Sequence, residues 1–327
     1  MIVRRHAPKR ESGVQRAWPV ASAAVLVLLT LFACAAAEEA ASTSQTKPAP
    51  PPRPIERIRY AAPKRLATLS DQAIDESSGI ACSRRNAGIF WTHNDSGGPP
   101  RLFAFDVKGH ALGTYTVVGA TNRDWEDLAS FTHRKSHYLL IGDVGDNARR
   151  RRFAMLHLVV EPAIDPNARD VKGKVKVART VRFVYEDGPQ DCESVAVDPT
   201  TRTVYMVSKR GKRRVYELSL PDKPAARTLT AKPIATLPLG WTSAMDISSD
   251  GLRAVVLTYV DAYEYARSPG EKWKVAFARR PRRIAMPYRR QGESICFGLD
   301  GVSLYLTSEK RPTPLFKVAP VADRRSQ

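Results

Sequence analysis

Cysteine is scarce, with four in 327 residues, and no two form a Cys-x-x-Cys pair that could hold zinc. The chain also has no Gly-x-Ser-x-Gly nucleophile elbow, no Walker phosphate loop and no His-Glu-x-x-His helix, so the best-known hydrolase and nucleotide-binding signatures are excluded. Beyond residue 37 no apolar run is long enough to cross a bilayer. Acidic residues are in deficit, 33 against 52 lysines and arginines, giving a net charge of +19. Such a chain is drawn to anionic surfaces, polysaccharides, phosphates or nucleic acid, and composition does not choose among them. Cys82, Cys192 and Cys296 read as small buried apolar side chains. A Cys82–Cys296 bond is the alternative that an exported compartment would allow.

The first 37 residues read as a signal. Residues 1–18 are basic and Val20–Ala37 is an apolar run ending in small residues. Leu31-Phe32-Ala33-Cys34 resembles a bacterial lipobox, with Phe32 where a small residue is usual, and makes Cys34 the candidate for lipidation. Cleavage after Ala35-Ala36-Ala37 is the other outcome. Residues 38–63 form a proline-rich tether that favours extended backbone. The expected location is the cell envelope, as a periplasmic or outer-membrane lipoprotein, or outside the cell. Residues 64–320 are the folded domain and 321–327 a basic tail.

The folded domain repeats. In residues 189–220, an acidic start (Asp191-Cys192-Glu193) leads to a short apolar strand, a turn at Asp198–Thr201, a β-branched strand at Thr203–Val207, a turn at Lys209–Lys212 and a third strand at Arg214–Leu218. The pattern recurs at Glu76, Glu126, Asp246 and Glu293, a spacing of about 50 residues that marks a propeller of four-stranded blades. The expectation is an all-β propeller of about five blades, or six if residues 163–187 hide a strand pair. Residues 64–70 lack upstream partners, so they are expected to supply the outermost strand of the last blade and close the ring.

If each inner strand begins at its acid, the antiparallel second strand returns beside it. One rim then gathers Glu76 with His93, Asn94 and Asp95; Glu126 and Asp127 with Asp143, Asp146 and Asn147; Glu193 with Lys209; Asp246 with Tyr259; and Glu293 with Glu309. Two carboxylates ~5 Å apart repel by about 3 kcal/mol at an effective dielectric of about 20. A hard cation such as Ca²⁺ would relieve that repulsion, with Glu126, Asp127, Asp143, Asp146 and Asn147 as the expected ligands. The competing reading has these acids bonding the backbone of neighbouring inner strands. His93 is equally a loop ligand or a packed strand residue. The basic runs Arg149–Arg152 and Lys209–Arg214 would form a cationic collar outside the mouth.

The motifs His93–Gly97 (HNDSG), Asp124–Ala129 (DWEDLA), Gly142–Asn147 (GDVGDN), Cys192–Pro199 (CESVAVDP) and Gln291–Ile295 (QGESI) resemble a family of bacterial exported β-propellers without an assigned activity. That family is more distantly similar to phytase-like and esterase-like propellers. The resemblance implies a propeller with a Ca²⁺ site at the channel mouth and transfers no catalytic residue. Asp246 stands where other units have Glu, and Lys209 stands where the last unit has Glu309. Two functions remain open. One is a monomeric envelope propeller that binds a protein, glycan or anionic ligand; the other is a metal-dependent esterase or phosphoesterase. Export disfavours nucleic acid as a partner.

Overall fold

The computed structural model describes residues 57–225 and 227–321. The signal, Cys34, most of the tether and nearly all of the basic tail lie outside the described residues. Strands in the described part run from Lys64 to Val318, with one short helix. They are β1 (Lys64–Thr68), β2 (Ser77–Cys82), β3 (Ile89–Asn94), β4 (Arg101–Asp106), β5 (Ala111–Val118), β6 (Trp125–His133) and β7 (Ser136–Asp143). They continue with β8 (Ala154–Val160), β9 (Val171–Tyr185), β10 (Cys192–Asp198), β11 (Thr203–Ser208), β12 (Arg214–Ser219), β13 (Leu229–Thr236) and β14 (Thr242–Ile247). The last are β15 (Arg253–Thr258), β16 (Ala262–Ala266), helix α1 (Trp273–Phe277), β17 (Arg282–Ile284), β18 (Ser294–Phe297), β19 (Leu304–Thr307) and β20 (Pro314–Val318).

These strands form five antiparallel four-strand meanders: β2–β5, β6–β9, β10–β13, β14–β17, and β18–β20 completed by β1. Lys64 pairs with Lys317 and Thr68 with Pro314, so the first strand is the outer edge of the last meander. The first strands of the meanders neighbour one another in a cycle: β2 on β6, β6 on β10, β10 on β14, β14 on β18 and β18 on β2. Residues 163–187 supply one long strand, β9, and no strand pair. It runs parallel to β5 and to β13, covering two outer edges that would otherwise be open.

Alternation explains why every sheet is buried on both faces. Along β11, Val204 and Met206 enter the core shared with the second meander, while Tyr205 and Val207 enter the core shared with the fourth. Along β15, Ala254 and Val256 face one way and Val255 and Leu257 the other. Each buried side chain of Val or Leu size contributes about 1.5–3 kcal/mol. Helix α1, which the repeat pattern did not foretell, stacks Trp273 and Phe277 into the same core as Tyr205. The three downstream cysteines are buried and free, so the alternative Cys82–Cys296 bond is not formed.

The strand centre is held by carboxylates. Asp127 is fully buried and accepts the backbone N–H of Leu128 (2.8 Å), Val195 (2.8 Å) and Met245 (3.0 Å), which lie on β6, β10 and β14. Asp246 does the same for Ile247 and Phe297, both at 2.8 Å, joining β14 to β18. Asp127→Asn turns part of this acceptor into a donor facing other donors. It is expected to lower unfolding free energy by about 1–3 kcal/mol in urea titration, the cost of a buried donor left unsatisfied. An unchanged midpoint would show that Asp127 does not hold the strands.

Candidate functional site

The rim follows from strand registry, and a bulge sets it. In four of the inner strands the pairing slips by one residue, at Ser78 in β2, Glu126 in β6, Glu193 in β10 and Ser243 in β14. A bulged residue has no opposite partner and its side chain is re-aimed. Glu293, just before β18, sits at the corresponding place, because Glu309 N–H bonds to Gln291 as Lys209 N–H bonds to Asp191. Glu76 and Asp246 therefore do not occupy the position held by Glu126, Glu193 and Glu293. Glu76 lies two residues earlier, in the place of Asp191, and pairs at the surface with Lys310 (3.3 Å). Asp246 lies three residues later and is the strand clamp described above.

Side chains just beyond three of the returning strands reach toward the bulge position of the next meander. Tyr259 donates to Glu293 (2.8 Å), which also accepts from Gln291 (2.9 Å). Glu309 accepts from Ser78 (3.0 Å). Lys209 instead pairs with Glu193 of its own meander (2.9 Å) and lies over the Tyr259 ring. Asp95 meets Asp124 and Glu126, and one oxygen from each of these three carboxylates lies within 4.8 Å of the others. Glu126 is 4% exposed, and no described residue donates a hydrogen bond to its carboxylate or pairs with it. Gly145 lets the cluster form. A Cβ there would overlap the Glu126 Oε1 and lie 2.6 Å from the Asp124 carboxyl carbon.

Electrostatics follow from this crowding. Burial, then the charges of Glu193, Asp95 and Asp124, push Glu126 well above the usual carboxylate range. Burial raises Asp124, and raises Asp95 to about 6 despite the hydrogen bond from Ser96 N–H. Burial lifts Glu193 to about 7, opposed by Lys209. Lys209 itself is raised, because Glu193 outweighs the burial that would lower it. Burial and the neighbouring Glu293 carry Glu309 to about 9. Glu293 moves the other way: burial would raise it, but hydrogen bonds from Glu309, Gln291 and Tyr259 bring it below its ordinary value. The last pair thus titrates as a unit, with one proton shared between its two carboxyls.

The rest of the expected cation set is engaged elsewhere. Asp127 clamps backbone. Asp143, fully buried, pairs with Arg151 (2.7 Å). Asp146 accepts the N–H groups of Arg150 (3.0 Å) and Arg151 (2.7 Å), folding its own loop. Asn147 is exposed. His93 is buried against Trp125 with Nδ1 3.0 Å from the Asn94 carbonyl, and burial lowers it to about 4, so it is a neutral packed residue. Asn94 ties the Ala73 carbonyl and Asp75 (both 2.7 Å). Asp124 was missing from the expected site, although it opens the DWEDLA motif two residues before Glu126. The collar is broken as well: Arg151 and Lys209 point into buried pairs, and Arg214 pairs with Asp187.

No protein-family model matches the chain, and no characterised protein matches it in sequence. Among solved structures, it is similar to a gluconolactonase from Xanthomonas campestris, at TM-score 0.43 and 12% identity, over 75% of this chain and 72% of that one. It is also similar to Chaetomium thermophilum Raptor, at TM-score 0.41 and 12% identity, over 83% of this chain but only 22% of Raptor. Both likenesses are too loose to carry an argument about activity.

Two outcomes test this geometry. Asp143→Asn strands the buried Arg151 charge and is expected to cost about 3–5 kcal/mol in denaturant titration, with or without added cation. For Glu309, the folded value of about 9 exceeds the ordinary 4.5, so the folded state holds a proton that the unfolded chain has lost. Its stabilisation is complete below about pH 4.5 and fades as pH rises toward 9. Glu309→Gln is expected to flatten the fall in melting temperature across that window. An identical pH profile in wild type and variant would refute the shared proton.

Proposed function

We propose that this chain is a five-bladed β-propeller, closed by its N-terminal strand, whose rim binds a divalent cation through Asp95, Asp124 and Glu126. The observation that carries the reading is the convergence of three carboxylates that lack any ion-pair partner among the described residues. Supporting the propeller are the cyclic neighbouring of the inner strands and the five cores shared between successive sheets. The donors are all oxygen, which suits Ca²⁺. The close approach of Gly145 backbone leaves the carboxylates room to turn toward one another. A cation there would keep open coordination positions for an oxygen-rich ligand, a glycan or other anion. Lys209, Tyr259 and Gln291 supply polar groups farther along the rim. In this proposal the protein is exported and held at the envelope by Cys34 and its tether, and it works as a monomer.

The opposed carboxyls Glu293 and Glu309 favour a second reading, hydrolysis of an ester or phosphoester. One carboxyl that keeps its proton beside one that loses it is the arrangement of a general acid and a general base. The cation would polarise the scissile group.

Adding Ca²⁺ is expected to raise the melting temperature of the wild-type protein. Saturation at about 100-fold above the dissociation constant corresponds to about 2.7 kcal/mol. Asp124→Asn and Glu126→Gln are expected to remove that rise while leaving the cation-free protein as stable as wild type or more so, since each removes a repelling charge. Equal melting curves with and without Ca²⁺ in the wild type would overturn the cation site. Loss of Ca²⁺-dependent ester turnover in Glu309→Gln, with the Ca²⁺-induced melting shift intact, would separate the hydrolase from the binding protein.

A further inference from the structure

The loop that walls the acidic cluster has a second face. Gly145 touches Asp124 and Glu126, while Val144 and residues 150–154 line a cavity of about 340 Å³ between that loop and the end of β9. Its apolar wall is Val144, Phe153, Ala154, Val184, Tyr185 and Pro189. Arg150 and Arg152 stand at the same cavity, and neither guanidinium is paired with an acid among the described residues. Arg182 lies over the Phe153 ring at 4.2 Å and also lacks an acid partner there. The single acid lining the cavity, Asp146, is occupied by backbone N–H groups, and Arg151 is committed to Asp143 and to the Gly145 carbonyl. A second hollow of about 210 Å³ shares Gln190 with the first and is lined by Arg149, Arg210 and Lys212, together with Arg214, whose charge is matched by Asp187.

We propose that this cavity binds an organic phosphate monoester, with an aromatic or short aliphatic body on Phe153, Val184, Tyr185 and Pro189 and its phosphate on Arg150 and Arg152. Apolar pockets of roughly 300–1,000 Å³ with a few convergent polar groups are the usual form of small-molecule sites, and this one is at the single-ring end of that range. Guanidinium forks match phosphate oxygens in geometry, and a dianionic head balances two unpaired cations. The second hollow adds positive potential along the approach. This site lies on the far face of the loop from the acidic cluster and needs no cation.

Isothermal titration of the protein with phenyl phosphate, in buffer containing a chelator, tests it. The chelator removes cation bridging at the rim, so the outcome is independent of that site. One saturable site is expected. Inorganic phosphate and benzyl alcohol, which each carry half of the ligand, are expected to bind at least about tenfold more weakly. The surface variant Arg150→Gln/Arg152→Gln is expected to lose about tenfold or more in affinity with its melting temperature unchanged. Val184→Phe, which puts a ring into the cavity, is expected to weaken phenyl phosphate and not inorganic phosphate. Absence of saturable binding to the wild type, equal binding of inorganic phosphate, or an affinity unaltered by the arginine variant would each overturn the proposal.

Discussion

Five inner strands crowd one centre, and two carboxylates join four of them. Asp127 takes backbone N–H groups from three successive inner strands, and Asp246 from two. Strands that neighbour one another by their edges around such a centre do not complete ladders, so their inward N–H groups need other acceptors. A side-chain oxygen pair at the right depth provides them. The cost is visible in Asp127 itself, whose burial drives its proton affinity well up while the three donors pull it back. The remaining acids can gather at the rim because the strands beneath them are fixed.

The rim then divides into two kinds of carboxylate. Glu193 has Lys209, and Glu293 has Tyr259, Gln291 and the proton it shares with Glu309, so each has its own compensation. Asp95, Asp124 and Glu126 have no ion-pair partner among the described residues, and Lys209 and Arg151 act on Glu126 and Asp124 only from a distance. The difference arises just beyond the returning strands, where Asp95, Lys209, Tyr259 and Glu309 stand in the first, third, fourth and fifth meanders. One repeated backbone position thus carries four chemistries, and the site is where the neutralising ones are missing.

Much of the architecture was legible in the sequence, because two-residue alternation and turn chemistry are local. The strands of residues 189–220 fall within a residue or two of their expected bounds, and the edge role of residues 64–70 followed from their having nothing else to pair with. The site was only half legible. Spacing placed Glu126, Glu193 and Glu293 together, but it could not show a one-residue bulge, and so it aligned Glu76 and Asp246 with them. The glycine-rich GDVGDN loop was read as a set of ligands. In the fold its glycine is the contribution to the cluster, its Asp143 serves Arg151, and its Asp146 folds the loop. Which acid faces an arginine is a tertiary fact with no signature in spacing. Helix α1 is five residues long, too short to show a helical period.

The pairing of β1 with β20 makes the ends of this domain arrive at the fold together. About 250 residues separate Lys64 from its partner Lys317, so the closing contact is among the most distant the chain can make, and loop closure on that scale is slow. Until β20 is in place, β1 has no sheet to join and the last sheet keeps a bare outer edge, which invites pairing with other chains. A chain emerging from a ribosome would therefore hold its first strand unused for almost the whole of its synthesis. The β1–β20 pairing is therefore one of the last contacts that such a chain can make.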